Sequence, residues 1–454
     1  MKRKILSLFL IALVAITTTD FPVFASAAGK VTAYSAPKSL PTAYSSGDFT
    51  VTAGGAAIDL YNGGLNAWNN AVSFGYFDFS GGSIDVSITV NFSFSTFKLV
   101  PDSLGITGTK SGNTITFSIS NPCNVTLVLD GNYQGRVLHL FAEAPETDTP
   151  SPTDPNVIYY GPGYYDITDQ IPTLISSGKT LYIAGGAVVR GRFYTIDSSD
   201  VTFRGKGILL FDYQSTDGYN SIPLQIYNSS NVKVRDLIIC RGGNSGWNAA
   251  MQNASDVSVT GYKVVSPHYA STDGFNILNS HDITFDNVFI HSSDDAVALK
   301  GTTNAGYNPS ANPANYNPVY NITYKNSQLW SYANNAIGIG AETEAQYFDN
   351  IHFSNIDILY SFDDRDHEDQ LTDRSAINIF ALNGTAFSNI SFDEIRVEKA
   401  KRLINIEMHD SFWFNQLLGS WEWPGSMSGI TYNNITSTSD GTNEIRVTGW
   451  DSSH

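Results

Sequence analysis

From residue 231 onward the chain repeats one short pattern: a polar residue, a branched apolar residue, any residue, and a second apolar residue. It reads Asn231-Val232-Lys233-Val234, Asp256-Val257-Ser258-Val259, Asp282-Ile283-Thr284-Phe285, Asn321-Ile322-Thr323-Tyr324, Asn350-Ile351-His352-Phe353, Asn389-Ile390-Ser391-Phe392 and Gly429-Ile430-Thr431-Tyr432. A second short apolar run accompanies it, as in Phe275-Asn276-Ile277-Leu278, Val297-Ala298-Leu299, Ile337-Gly338-Ile339, Ile377-Asn378-Ile379 and Ile404-Asn405-Ile406. The apolar marks stand 25 and 26 residues apart, then 39, 29, 39 and 40. A strand pair that recurs in fixed order with variable loops between predicts a solenoid, here a right-handed parallel β-helix. Val, Ile and Phe point inward; Asn, Ser and Thr point outward. Long loops at Gly301 to Pro318 and Ser361 to Arg374 would rim a groove along one face, and such a groove suits a linear polymer.

Residues 28–144 carry a different pattern. Runs such as Ser83-Ile84-Asp85-Val86-Ser87-Ile88-Thr89-Val90 alternate with period two between Gly, Asn and Pro turns, which predicts an antiparallel β-sandwich. Residues 145–155 hold four prolines and no large apolar residue, so they read as a linker. The β-helix then occupies 156–454. The fold class is therefore all-β, a β-sandwich followed by a parallel β-helix.

Composition narrows the partners. Only 15% of the residues are charged and the formal net charge is −17, which argues against nucleic acid or an anionic membrane as the main partner, since both need a basic face. Residues 1–27 show Lys2, Arg3 and Lys4, an apolar run from Ile5 to Ile16, and Ala25-Ser26-Ala27, the three parts of a secretory signal. Cleavage after Ala27 would take three basic residues and Asp20 with it and leave −19. The expectation is a secreted, extracellular protein with no membrane segment. Cys123 and Cys240 stand alone, so neither a disulfide framework nor a Cys-based metal site is expected. Oligomeric state is not legible.

Two acidic motifs occupy corresponding places one coil apart: Ser271-Thr272-Asp273-Gly274 and Ser292-Ser293-Asp294-Asp295. Either alone is an ordinary turn. Asp273 precedes Asp294 by 21 residues and Asp295 by 22, close to one minimal coil. Coils stack about 4.8 Å apart, so the three carboxylates should converge on one surface. Converging carboxylates share protons or bind a cation. A protonated acid beside an ionised base is what cleavage of a glycosidic bond needs.

At these motifs the chain resembles the pectinase-like parallel β-helix glycoside hydrolases, over about Ser266 to Gly301, and elsewhere only as a repeat pattern. The resemblance implies Asp294 as general acid, Asp273 and Asp295 as the pair that activates or holds the attacking water, inversion at the anomeric carbon, and no cofactor or metal. Two branches compete. Polygalacturonases carry a Gly-His-Gly motif and an Arg-x-Lys grip on the next coils. This chain has Asn334-Asn335-Ala336-Ile337-Gly338 at the first place, and only Arg374 and Lys401-Arg402 as substitutes for the second. Glycoside hydrolase family 49, the dextranases and isopullulanases, is similar at Tyr159-Tyr160-Gly161-Pro162-Gly163, at His291 and at Asn334-Asn335. That branch implies an α-glucan such as dextran.

Lys300, Asn334, Asn335, His291 and Trp247 are candidate substrate-binding residues, with His268, Trp421 and Trp423 as further candidates. For each, a solvated, capping or core role is the alternative. Two rival functions remain. A Ca²⁺-dependent polysaccharide lyase would use the Asp residues as calcium ligands, and a non-catalytic carbohydrate-binding β-helix would use no chemistry.

Overall fold

In the computed structural model the described residues are 29–63, 72–170, 173–213, 222–242, 246–266, 271–301, 315–361, 374–382, 384–408, 425–439 and 443–452. The predicted signal segment lies outside them, as do His268, Trp421, Trp423 and most of the two long loops.

The repeat closes into a parallel β-helix. Parallel strands form a 17-stranded and a 10-stranded sheet. A typical coil gives two strands to the first sheet and one to the second, as in Ser255–Thr260, Lys263–Val265 and Phe275–Leu278. The sequence marks are stacked in register: Val232, Val257, Ile283, Ile322, Ile351, Ile390 and Ile430 pair in that order. The companion strand stacks Ile226, Met251, Ile277, Leu299, Ile339, Ile379 and Ile406. Through Ile379 and Ile390 both columns are almost wholly buried in one continuous core.

The polar residue that opens each unit has a backbone reason. Asn231, Asp256, Asp282, Asn321, Asn350 and Asn389 all take the left-handed conformation, with φ between 50 and 56°, and Gly429 takes it in the last unit. Asn, Asp and Gly tolerate that region best, because a short polar side chain or none avoids the usual clash. Their amides also bond along the column: Asn321 Nδ2 donates to Asp282 Oδ1 at 2.8 Å and Asn350 Nδ2 to Asn321 Oδ1 at 2.7 Å.

Residues 30–143 form two sheets packed face to face. A five-stranded antiparallel sheet shows the predicted alternation, Ile84–Val90 burying every second residue. The six-stranded sheet differs from the antiparallel expectation at one place, where Ser73–Ser80 runs parallel to Leu138–Glu143. It is a middle layer. One face carries Phe77, Leu127 and Leu140 into the sandwich core, and the other packs Phe74, Tyr76, Val128 and Phe141 against Val188, Ile238, Val265, Phe289 and Trp330 of the β-helix. Burial on both faces leaves only Ser80 of Ser73–Ser80 exposed and gives the strand aromatic residues on both sides.

Charges are buried in this contact. Lys206 of the β-helix donates to Asp78 of the middle sheet, both side chains being 4% exposed, and lies 3.4 Å from Glu143. Lys263 also pairs with Glu143. The segment 145–155 has no core of its own, yet it is pinned: Asp148 accepts from Arg204 and Arg235, and Glu146 accepts from Tyr182.

Two imidazoles meet at the same contact. His139 Nε2 and His291 Nδ1 are 2.7 Å apart, His139 Nδ1 is 2.7 Å from Thr126 Oγ1, and Phe141, Phe289 and Trp330 surround them. Burial pushes the His139 imidazole down to about 3. A His depressed in the folded state keeps its full contribution above its unfolded value, about 6.5, and loses it as pH falls. Stability should therefore drop by about 1.4 kcal/mol for each pH unit below 6.5 from this group. Thermal unfolding of the wild type and His139→Phe between pH 7 and 4 checks it: the variant's curve should be flatter, and parallel curves would sink the assignment.

Candidate functional site

Asp273 precedes the strand Phe275–Leu278, and Asp294-Asp295 precede Val297–Gly301, its neighbour in the 10-stranded sheet. The two turns are tied directly, since the Gly274 N–H donates to the Asp295 carbonyl at 2.8 Å. Backbone pairing thus brings the three carboxylates to one edge of the sheet.

The next coil holds the Asp pair. Asn334 Nδ2 donates to Asp294 Oδ1 at 2.6 Å, and Asn335 donates to Asp295 Oδ1 from Nδ2 at 2.9 Å and from its backbone N–H at 3.0 Å. Ser292 and Ser331 hydroxyls both donate to the Asp294 carbonyl, which fixes the turn itself. Gly338 leaves room here, because a Cβ on it would stand 3.0 Å from Asp295 Oδ2.

Lys300 Nζ donates to Asp273 Oδ2 at 3.0 Å and lies 3.7 Å from Glu342 Oε1. Trp247, two coils before Lys300, has its ring centroid 4.6 Å from the same ammonium. The Asn248 N–H and Nδ2 both donate to the Asp273 carbonyl, at 2.8 and 2.9 Å.

The electrostatics follow from burial. Burial and the Asp294 charge push the Asp273 carboxyl up to about 7, against the opposing pull of Lys300. Burial, with Asp294 and Asp273 beside it, also holds Asp295 well above the usual carboxylate range. For Lys300, burial opposes the charge, but Asp273, Glu342, Asp295 and Asp294 outweigh it and hold the ammonium charged. Near neutral pH the cluster therefore holds both a proton and ionised carboxylates. The proton belongs to the coupled group rather than to one residue. That combination can protonate a leaving oxygen and deprotonate a water.

Asp273, Asp294, Asp295, Lys300, Asn334, Asn335 and Trp247 come together as the sequence placed them. His291 does not. It is fully buried, bonded to His139 and stacked on Trp330 at 4.8 Å, so it faces the sandwich and cannot reach a sugar. Arg402 donates to Glu444 at 2.7 Å. Glu342 was not legible as a site residue. The strand Ile337–Thr343 bulges against its neighbour after Leu299, with left-handed residues at Gly340 and Ala341, and this irregularity brings Glu342 beside Lys300. Among the described residues no group of three or more His, Cys, Asp or Glu is arranged to hold a metal ion.

No protein-family model matches the chain, and no curated protein matches it. Solved structures that it resembles include a family 28 exopolygalacturonase of Yersinia enterocolitica, at 11% identity over 81% of this chain and 86% of that one, with a TM-score of 0.49. A hyperthermoactive exopolygalacturonase of Thermotoga maritima matches at 13% identity over 65% and 75%, with a TM-score of 0.43. A polygalacturonase of Erwinia carotovora matches at 14% over 68% and 89%, with a TM-score of 0.38. Likenesses of this strength say nothing about the reaction, and the fold stands on the strand pairing described above.

Proposed function

We propose that the chain is a secreted glycoside hydrolase that cleaves a polysaccharide with inversion, by acid and base catalysis from Asp273, Asp294 and Asp295. The observation that carries this reading is the cluster itself: three carboxylates from two successive coils around one ammonium, two of them held by Asn334 and Asn335. Asp294 gives the proton to the leaving oxygen. Asp273 and Asp295 hold and deprotonate the water. These roles follow the resemblance to the pectinase-like hydrolases: the proton that burial favours on Asp273 and Asp295 is shared by the coupled group and passes to Asp294, which leaves Asp273 and Asp295 ionised to take the proton of the water. Lys300 and Trp247 line the sugar site, and the signal at residues 1–27 directs export.

The substrate we propose is a neutral α-glucan such as dextran. Asn334-Asn335-Ala336-Ile337-Gly338 stands where polygalacturonases carry Gly-His-Gly, and of the substitutes for the uronate-gripping Arg-x-Lys, Arg402 is paired with Glu444. The test is release of reducing ends from dextran, pullulan and polygalacturonate by the mature protein, with and without chelator. Release from a neutral glucan is expected. Release from polygalacturonate alone would replace the glucan by pectin, and an ultraviolet-absorbing product lost on chelation would replace hydrolysis by a calcium-dependent lyase reaction.

A further inference from the structure

Outward positions along the 10-stranded sheet form a column whose members pair in register: Gln225, Ala250, Asn276, Ala298, Gly338, Asn378 and Asn405. Each of its other amides makes a side-chain hydrogen bond. Gln225 Nε2 donates to Tyr227 Oη at 2.6 Å, Asn405 Nδ2 donates to Asn378 Oδ1 at 2.9 Å, and Asn405 Oδ1 accepts from Arg446 at 2.7 Å. Asn276 is the exception. It is 0% exposed, and neither its Nδ2 nor its Oδ1 has a hydrogen-bond partner among the described residues. Its neighbours in register, Ala250 and Ala298, offer nothing to bond. Leaving both ends of a buried amide unmade costs free energy that an apolar residue would not, so the position calls for a reason.

The reason lies in what covers it. Asn276 stands three residues past Asp273, and its side chain points away from the core that Phe275 and Ile277 enter. Lys300 pairs in register with Leu278, two positions further on, yet its ammonium bonds Asp273. The lysine stem therefore runs back across the Asn276–Ala298 position. Among the described residues it shares that cover with Trp247, whose ring centroid lies 4.6 Å from Nζ and which packs against Ile222, Ala250 and Leu278, and the ammonium has a second carboxylate in reach, since Glu342 lies 3.7 Å from Nζ.

Resting on the hydrolase reading above, we propose that Asn276 anchors a sugar. When Lys300 moves off toward Glu342, the amide takes two vicinal hydroxyls of a neutral hexose, Nδ2 donating to one oxygen and Oδ1 accepting from the next. Trp247, which packs over Ala250 and Leu278, must swing aside with the lysine, and its ring then serves as the platform on which the sugar face rests. An amide that both donates and accepts suits a diol, whereas a carboxylate would meet the Oδ1 lone pairs.

The variant that tests this is Asn276→Ala, which completes a run of three alanines. Dissociation constants for isomaltooligosaccharides, maltooligosaccharides and oligogalacturonates are measured through tryptophan fluorescence, beside the melting temperature. The expected result is about tenfold weaker binding of a neutral oligosaccharide with a melting temperature no lower than wild type. A merely structural amide predicts a lower melting temperature with unchanged affinity, and binding within twofold of wild type would overturn the proposal. Failure of the hydrolase reading would show separately, as a wild type that binds sugar but releases no reducing ends. A wild type that binds none of the three sugars would overturn the anchor outright.

Discussion

Asp294→Asn should lower kcat about 10³-fold while leaving the melting temperature within a degree or two of wild type, because general acid catalysis is worth roughly 10²- to 10⁴-fold. The amide cannot give a proton to the leaving oxygen. It can still accept what Asp294 Oδ1 accepts now, the Asn334 Nδ2 donor at 2.6 Å and the Asp295 N–H at 2.9 Å, so the turn should keep its shape. A second signature distinguishes loss of chemistry from loss of fold. The Asp294 charge is one of the causes that raise Asp273 and Asp295, so its removal should let both ionise at lower pH. The residual rate should therefore reach its acid limb at lower pH than the wild type. Steady-state rates from pH 3 to 9 on the polysaccharide that the wild type cleaves read both effects. A variant that keeps a tenth or more of the wild-type rate would remove Asp294 from the mechanism, and unchanged behaviour throughout would favour a carbohydrate-binding β-helix without catalysis.

The largest effect on stability should come from the charges between the sandwich and the β-helix. Lys206→Met leaves Asp78 buried without its cation, with Tyr34 as a remaining donor at 2.6 Å, and breaking a buried pair from one side costs about 3–5 kcal/mol. The cost is electrostatic rather than steric, since Met fills nearly the same volume. Burial already raises Asp78, and Lys206 is a main opposing influence. Without it the carboxyl should stay protonated to higher pH. Adding Asp78→Leu to Lys206→Met should recover most of the loss, because an apolar pair of similar shape carries no uncompensated charge. Calorimetry on the single and double variants decides the point: the single should melt roughly 10 °C lower. If the double variant is as unstable as the single, the loss is one of packing and the charge argument fails.

The site was legible in the sequence where it is made of neighbours in the repeat. Asp273 and Asp294-Asp295 stand at the same place in consecutive coils, and so does Asn334-Asn335 one coil on, so counting the repeat was enough to stack them. Lys300 belonged to the same count. Glu342 escaped because a bulge after Leu299 breaks the count within one strand. Asn276 escaped because an Asn in an outward position looks the same whether its amide is bonded, like Asn378, or left open. His291 was misplaced for another reason. Its place three residues before the Asp pair and its likeness to the family 49 pattern suggested a sugar contact, but the middle sheet of the sandwich covers that face of the β-helix and takes the imidazole into its own contact.

The sequence by itself determined the coil: branched apolar residues two apart give each strand an inner face, and the Asn, Asp or Gly before them permits the left-handed turn that stacks one coil on the next. These are local properties, set within a few residues and repeated. Only the tertiary structure decided which outward faces meet water and which meet the sandwich, how far burial raises Asp273 and Asp295, and which carboxylates surround Lys300. Those depend on groups far apart in the chain, because the cost of a charge is set by everything that excludes water from it, and no local pattern carries that sum.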